Sequence, residues 1–271
     1  MSTETVAAMR TRRDTRRRRG GTGRMLALGR AEATLLWRNR TALYTALLLP
    51  VSMVWVLRSA VAKNDLAKSG MSANAVSMSG GIGIVLLFVV YYNLVTAYVA
   101  RREELVLKRL RTGEPTDLEI LAGTALPAAA VALVQCVALV VAGAVMLDLS
   151  APRRPELLVA GVLLGIVLLT ALAAASTVFT RSVEVAQLTT MPLLMVSLIG
   201  SGLFVPLALL PDRVADVCRF LPVTPITDLV RFGWLGGAGA GQVLCALGLA
   251  VAWTVLAVFA VGRWFRWEPR R

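Results

Sequence analysis

The sequence predicts an all-α membrane protein with six transmembrane helices, and three observations carry that prediction. First, 57% of the 271 residues are hydrophobic and only 17% are charged, at a mean hydropathy of +0.70, far more apolar than a soluble domain needs. Second, six apolar stretches recur, at 41–57, 80–100, 123–147, 157–179, 188–210 and 242–261, each long enough to cross a hydrocarbon core of about 30 Å. Third, the charge is confined to the segments between and outside them.

Orientation follows from the distribution of Lys and Arg. With the N-terminus inside, 21 of the 29 basic residues fall on the inner side and 8 on the outer, the bias that retains loops in the cytoplasm. Both termini are then cytoplasmic in a multi-pass protein of the cell membrane. Residues 1–24 are expected to form a basic, disordered tail, 25–263 the six-span body and 264–271 a short basic tail. The arginine block from Arg10 to Arg24 has no aromatic residue interleaved to stack on bases, so it reads as a tail near anionic lipid and not as a nucleic-acid site. A secretory leader is the competing reading of the N-terminus, with Ala60 and Ala62 as a cleavage signature, but Arg58 crowds that site.

Chemistry is sparse. There is no histidine, and Cys136, Cys218 and Cys245 have no metal-ligand spacing, so neither a metal nor a cofactor is expected on this chain. No phosphate-binding G-x-x-x-x-G-K-[ST] loop occurs. ATP, if it drives this protein, binds elsewhere, and the chain itself is not expected to be an enzyme.

The elements follow in order. Residues 25–40 place Leu28, Ala31 and Leu35 on one face with Arg30, Arg38 and Arg40 mostly off it, an amphipathic helix for the membrane interface. Span 41–57 is kinked at Pro50. After an outer loop at 59–79, span 80–100 ends in Tyr91, Tyr92, Asn93 and Tyr98, residues that serve equally as interface anchors or as substrate contacts. Pro152 and Pro155 break the outer turn before span 157–179. Pro192, Gly200, Ser201, Gly202 and Pro206 interrupt span 188–210, so a broken helix facing the interior is expected. Between spans five and six, Thr224 caps a helix with Pro225 in its first turn and Asp228 near its positive end, and this helix is expected to lie flat at the outer interface.

The densest charge between apolar segments is RREELVLKRLRTGEPTDLEILAG, residues 101–123. Leu105, Val106, Leu107 and Leu110 alternate there with charge at helical spacing, which predicts a short helix with one apolar and one cationic face. Gly113 and Pro115 break it. Thr116 and Glu119 then stand in the T-x-x-E relation that starts a new helix.

In this order the segments resemble the type-2 permeases of ATP-binding-cassette exporters, particularly the daunorubicin-resistance kind from actinobacteria. The likeness runs from about Met25 onward. It is carried by residues 101–123, similar to that family's E-R-E-x-G-T-L-x-R-L-R stretch, and by SGLFVPLALLP followed by FLPVTPITDLVR, similar to its S-G-x-x-x-P and L-x-P-x-T-P-x-x-D-x-x-R stretch. Leu105 and Val106 depart from it, standing where many members have Gly-Thr.

The resemblance implies a coupling helix at 101–111 seated in a groove of a separate nucleotide-binding subunit, which holds ATP and Mg. Glu103, Glu104, Lys108, Arg109 and Arg111 would form the polar part of that contact. Leu107 and Leu110 would form the apolar part, at about 1.5 to 3 kcal/mol each if fully buried. It further implies a second permease copy, and a substrate path lined by Tyr91, Tyr92, Asn93, Ser201, Gly202, Phe204 and Pro206. Thr224, Pro225, Asp228 and Arg231 would belong to the outer interfacial helix. With few charges inside the spans, apart from the polar Gln135 and Gln187, the expected cargo is an amphipathic drug or a lipid.

Two other classes compete. A membrane-embedded lipid-modifying enzyme needs clustered acids, bases or nucleophiles. A secondary transporter needs ionisable groups near the midplane and inverted repeats. The spans display neither pattern.

Overall fold

A single long helical rod, α1 (Ala73–Val85), a π segment (Leu86–Tyr92) and α2 (Asn93–Glu103), runs through the middle of the bundle. The computed structural model describes residues 73–111, 116–146, 151–203, 207 and 210–265, together with Ser52. The expected helix at 25–40, the span at 41–57, both terminal tails, the break at 112–115, and Phe204 and Pro206 lie outside the described residues. The remaining helices are α3 (Val106–Arg111), α4 (Asp117–Met146), α5 (Pro155–Ser176), α6 (Val183–Gly200), α7 (Asp212–Arg219), α8 (Thr224–Leu235) and α9 (Ala240–Trp264).

Five helical stretches among the described residues are long and apolar enough to cross a membrane: Ser77–Glu103, Asp117–Val145, Pro155–Ser176, Val183–Gly200 and Ala240–Trp264. They correspond in order to the second through sixth expected spans. Their positions set them apart, because 67% of the most apolar window in Ser77–Glu103 is buried by the rest of the chain but only 22% in Ala240–Trp264. The first is the axle of the bundle, and the last presents Val251, Val255 and Phe259 outward, an apolar stripe suited to acyl chains.

Local chemistry explains the boundaries. Helix α4 starts where the capping box requires: Glu119 N–H donates to Thr116 Oγ1 at 3.4 Å and Thr116 N–H to the Glu119 carboxylate at 2.8 Å. Pro155 opens α5 in its first turn, where a missing N–H costs nothing. Ser182 caps α6, accepting from Val185 N–H at 3.4 Å.

Two boundaries differ from expectation, and a third, the break near Gly200 to Gly202, agrees with it. Residues 73–79, expected in an outer loop, are helical, because Ser77 and Ser79 are buried against protein and need no water. Pro192 does not interrupt α6, which runs unbroken from Val183 to Gly200. The break comes after it, at 201–203, where Gly202 takes φ +70°.

Helix α8 is the largest departure. Expected flat at the interface, it is buried along most of its length, from Thr224 to Trp234. A Cβ on Gly165 would touch Ile226, one on Gly161 would touch Leu229 and Val230, and one on Gly233 would meet the Leu158 backbone. Positions on α5 fall as those on α8 rise, so the two run antiparallel. Gly165 lies ten residues into α5, hence about 15 Å from its start at 1.5 Å per residue. The α7–α8 hairpin therefore dips to about half the depth of the bundle. Trp253, midway along α9, agrees, donating its indole N–H to the Phe220 carbonyl at 2.9 Å. The physical reason is the pair Gly161 and Gly165, whose missing side chains let one helix backbone approach another.

Candidate functional site

Two regions gather the residues that sequence reasoning singled out. At the near end, where α2 stops and α5 gives way to α6, the expected single helix at 101–111 is two pieces. Glu103 closes α2, Glu104 and Leu105 turn, and α3 begins at Val106. Leu105 adopts φ +58°, the left-handed conformation that glycine takes without steric cost, and its N–H bonds back to the Arg102 carbonyl at 3.1 Å.

Exposure sorts the near-end candidates. Glu103, Glu104, Arg109 and Arg111 are exposed, and Arg111 pairs with Asp117 at 3.2 Å across the break. Lys108 and Leu110 lie on α3, but their side chains are outside the described set. Leu107, assigned to the docking ridge, is fully buried within the chain. That assignment is corrected: in a helix of six residues Leu107 turns inward, and among the described side chains of the knee Leu105 is an exposed apolar one, 40% accessible.

Arg102 was not singled out, yet it organises this end. Its guanidinium is buried to 1% exposure. It donates from Nη1 to the Thr177 carbonyl at 2.9 Å and from Nη2 to those of Thr180 at 2.6 Å and Arg181 at 3.3 Å. Thr177 caps the C-terminus of α5, where carbonyls lack helical partners and a cation is favoured. A signal existed in the sequence: Tyr91, Val95, Tyr98 and Arg102 recur at spacings of four, three and four, one stripe of a helix, and all four are buried. Beside it Arg101 donates to Thr124 Oγ1 at 3.0 Å and Tyr98 to the Leu121 carbonyl at 3.0 Å, tying the start of α4 to the same place.

The expected substrate-path residues do not form one group. Tyr91 is buried and shares a hydrogen bond of 3.1 Å with Ser176 Oγ, within the π segment, a kind of irregularity enriched at functional sites. Tyr92 is half-buried, with its ring tilted against Phe88 at 6.3 Å. Asn93 is exposed and bonds to the Val89 carbonyl at 3.4 Å. These three sit well inside the rod, so they are not interface anchors at its end. Ser201 and Gly202 are elsewhere, in the break that passes over Gly80 and Gly83 through Leu203, eight residues or about 12 Å along the rod from Tyr91.

At that far end Arg231 joins α8 to the break. It is buried, donates from Nη2 to the Gly202 carbonyl at 2.7 Å and approaches Asp228 at 3.7 Å. The carbonyl bond is the tighter of the two. Burial pushes the Asp228 carboxyl above its ordinary value, more than the neighbouring Arg231 and Arg219 charges pull it down. Burial likewise lowers Arg231, and Asp228 opposes that. Thr224 is not the N-cap: Val223 takes that position, and the Thr224 hydroxyl donates to the Cys218 carbonyl at 2.6 Å, holding the turn between α7 and α8. Pro225 follows it, buried.

Among the described residues no three His, Cys, Asp or Glu side chains come together as a metal site. What the arrangement offers is a charged knee at one end of a buried axle and a buried arginine bracing a helix break at the other. No individually curated protein matches the chain. The sequence model of the ABC-2 type transporter family matches residues 24–235, a family whose membrane domain is a permease component that normally works with an ATPase subunit. A helical body with five membrane-crossing stretches and a family match over most of its length agree: the chain belongs to the ABC-2 type transporter family.

Proposed function

We propose that the chain is the membrane-spanning permease subunit of an ATP-binding-cassette exporter of the daunorubicin-resistance kind. It moves an amphipathic drug or lipid-like substrate outward, with both termini in the cytoplasm. ATP and Mg are held by a separate nucleotide-binding subunit, and two permease copies pair with two such subunits. The observation that carries this reading is the knee at 104–105: Glu103, Glu104, Arg109 and Arg111 are exposed at the foot of the most buried of the five crossing stretches. Force applied there acts directly on the axle.

In this mechanism nucleotide binding closes the partner dimer and draws the knees together. The rod formed by α1, the π segment and α2 then tilts, and the break at 201–203 re-packs on the far side. The drive is the difference in ATP affinity between the two conformations. Individual exposed ion pairs at the knee contribute only about 0 to 1 kcal/mol each, so the exposed Leu105 adds apolar contact that charge alone does not supply.

The test is whether a gene for a soluble ATPase with a phosphate-binding loop lies beside this one, and whether that ATPase, co-expressed with the chain, co-purifies with it and hydrolyses ATP in nanodiscs. Reversing charge at Glu103, Glu104 and Arg109 together is expected to dissociate the ATPase while leaving the permease folded. Retained association of that triple variant would refute the assignment of the knee.

A further inference from the structure

We infer that Arg102 is a positioning residue that locks the end of α2 and the α5–α6 turn into one rigid body, so that displacement of the knee reaches α5 directly. This rests on the exporter reading for the origin of the displacement, but the lock itself does not. Arg102 stands two residues before the turn at 104–105, and its guanidinium reaches carbonyls 75, 78 and 79 positions away in sequence. A planar, permanently charged fork is the one side chain that can hold several carbonyls at fixed angles. Such charge-assisted bonds are about twice as strong as neutral ones.

The acceptors make the lock directional. Thr177 is the C-cap of α5, and Thr180 and Arg181 lead into Ser182, the N-cap of α6. The turn between two membrane helices is thus held by a third helix. Thr180 Oγ1 also bonds with Thr189 Oγ1 at 2.8 Å and with the Ser176 carbonyl at 3.1 Å, so the turn is braced to α6 as well. Helix α5 in turn carries α8 through the close contacts at Gly161 and Gly165. A knee movement that Arg102 passes to α5 therefore has a seated load to move.

Two measurements test this, using Arg102→Met, which keeps length and loses charge, and Arg102→Lys, which keeps charge and loses the fork. The first is hydrogen exchange of the full chain alone in nanodiscs. Amides at 178–182 are expected to exchange at least about tenfold faster in Arg102→Met, with Arg102→Lys in between and α9 unchanged. Unchanged exchange at 178–182 in both variants overturns the lock. If Arg102→Met does not fold, the Lys variant decides on the same readout.

The second is a spin-label distance between position 100, half-buried on α2 and outside the knee contact, and the exposed position 181, in the complex with its ATPase, measured without nucleotide and with trapped ATP. The wild-type distance is expected to stay constant, and the variant distance to change with nucleotide; a merely structural arginine would not make that distance nucleotide-dependent. A wild-type distance that shifts with nucleotide overturns the rigid-body assignment. A complex that fails to form overturns the exporter reading instead, and the exchange measurement then decides the lock alone.

Discussion

Arg231 Nη2 lies 2.7 Å from the carbonyl of Gly202, and this bond fixes where α6 stops. Gly202 holds φ +70°, and a Cβ there would stand 3.2 Å from that same Nη2. Arg231→Ala strands the Asp228 carboxylate and the Gly202 carbonyl. The expected loss is about 3 kcal/mol, the lower end for breaking a buried pair because Asp228 is partly accessible, read as a lower melting temperature of the solubilised chain. Arg231→Lys should recover only part of it.

Leu105 stores strain at the knee, since a left-handed conformation costs an ordinary residue about 1 to 2 kcal/mol. Leu105→Gly gives up part of this advantage to backbone entropy and to loss of an exposed apolar side chain. A net gain of up to about 1 kcal/mol in chain stability is expected, measured by thermal unfolding. Affinity for the ATPase should fall in the same variant if Leu105 makes the apolar contact.

Glycine substitutions should rank by what a methyl group would strike. At Gly233 it meets the Leu158 backbone nitrogen at 2.5 Å, at Gly165 the Ile226 and Leu86 side chains at 2.8 and 2.9 Å, and at Gly248 nothing within 4 Å. Backbone cannot move aside, so Gly233→Ala should be the most damaging. Gly165→Ala should cost about 1 to 3 kcal/mol through overpacking. Gly248→Ala should be neutral or stabilise by up to about 1 kcal/mol through helix propensity. Melting temperatures of the three variants supply the order.

Asp228 gives a pH dependence with a definite sign. Its carboxyl is raised in the folded chain, so folding favours the protonated form. That contribution is fully present below the ordinary carboxylate value and is lost as pH rises through the raised one. Comparing wild type with Asp228→Asn from pH 7.5 downward, the melting difference should shift in favour of the wild type as the solution becomes acidic. A constant difference would contradict the burial of the group.

Much of the architecture was legible because hydropathy and capping are local. The T-x-x-E pair at Thr116 and Glu119 marked the start of α4, and the long apolar runs located five crossing helices. What stayed illegible depends on which neighbour a residue meets. Leu107 looked like a docking residue because its own helix is charged, and only the packing of that helix against the bundle buries it. Helix α8 looked interfacial because Asp228 and Arg231 interrupt its apolar pattern, while their mutual pairing and the Gly202 carbonyl allow burial. Pro192 looked like a breaker, yet α6 continues through it. The glycines of α5, Gly161 and Gly165, were not singled out, and nothing local to them names the helix that takes the place.

The hairpin of α7 and α8 enters and leaves without crossing. Its contribution to the parity of the chain is then zero, and Pro211 and Gly239, on either side of it and 28 positions apart, are expected to be labelled from the same compartment. Any reporter that assigns those two residues to opposite compartments would require α8 to be a crossing helix, which its twelve residues are too short to be.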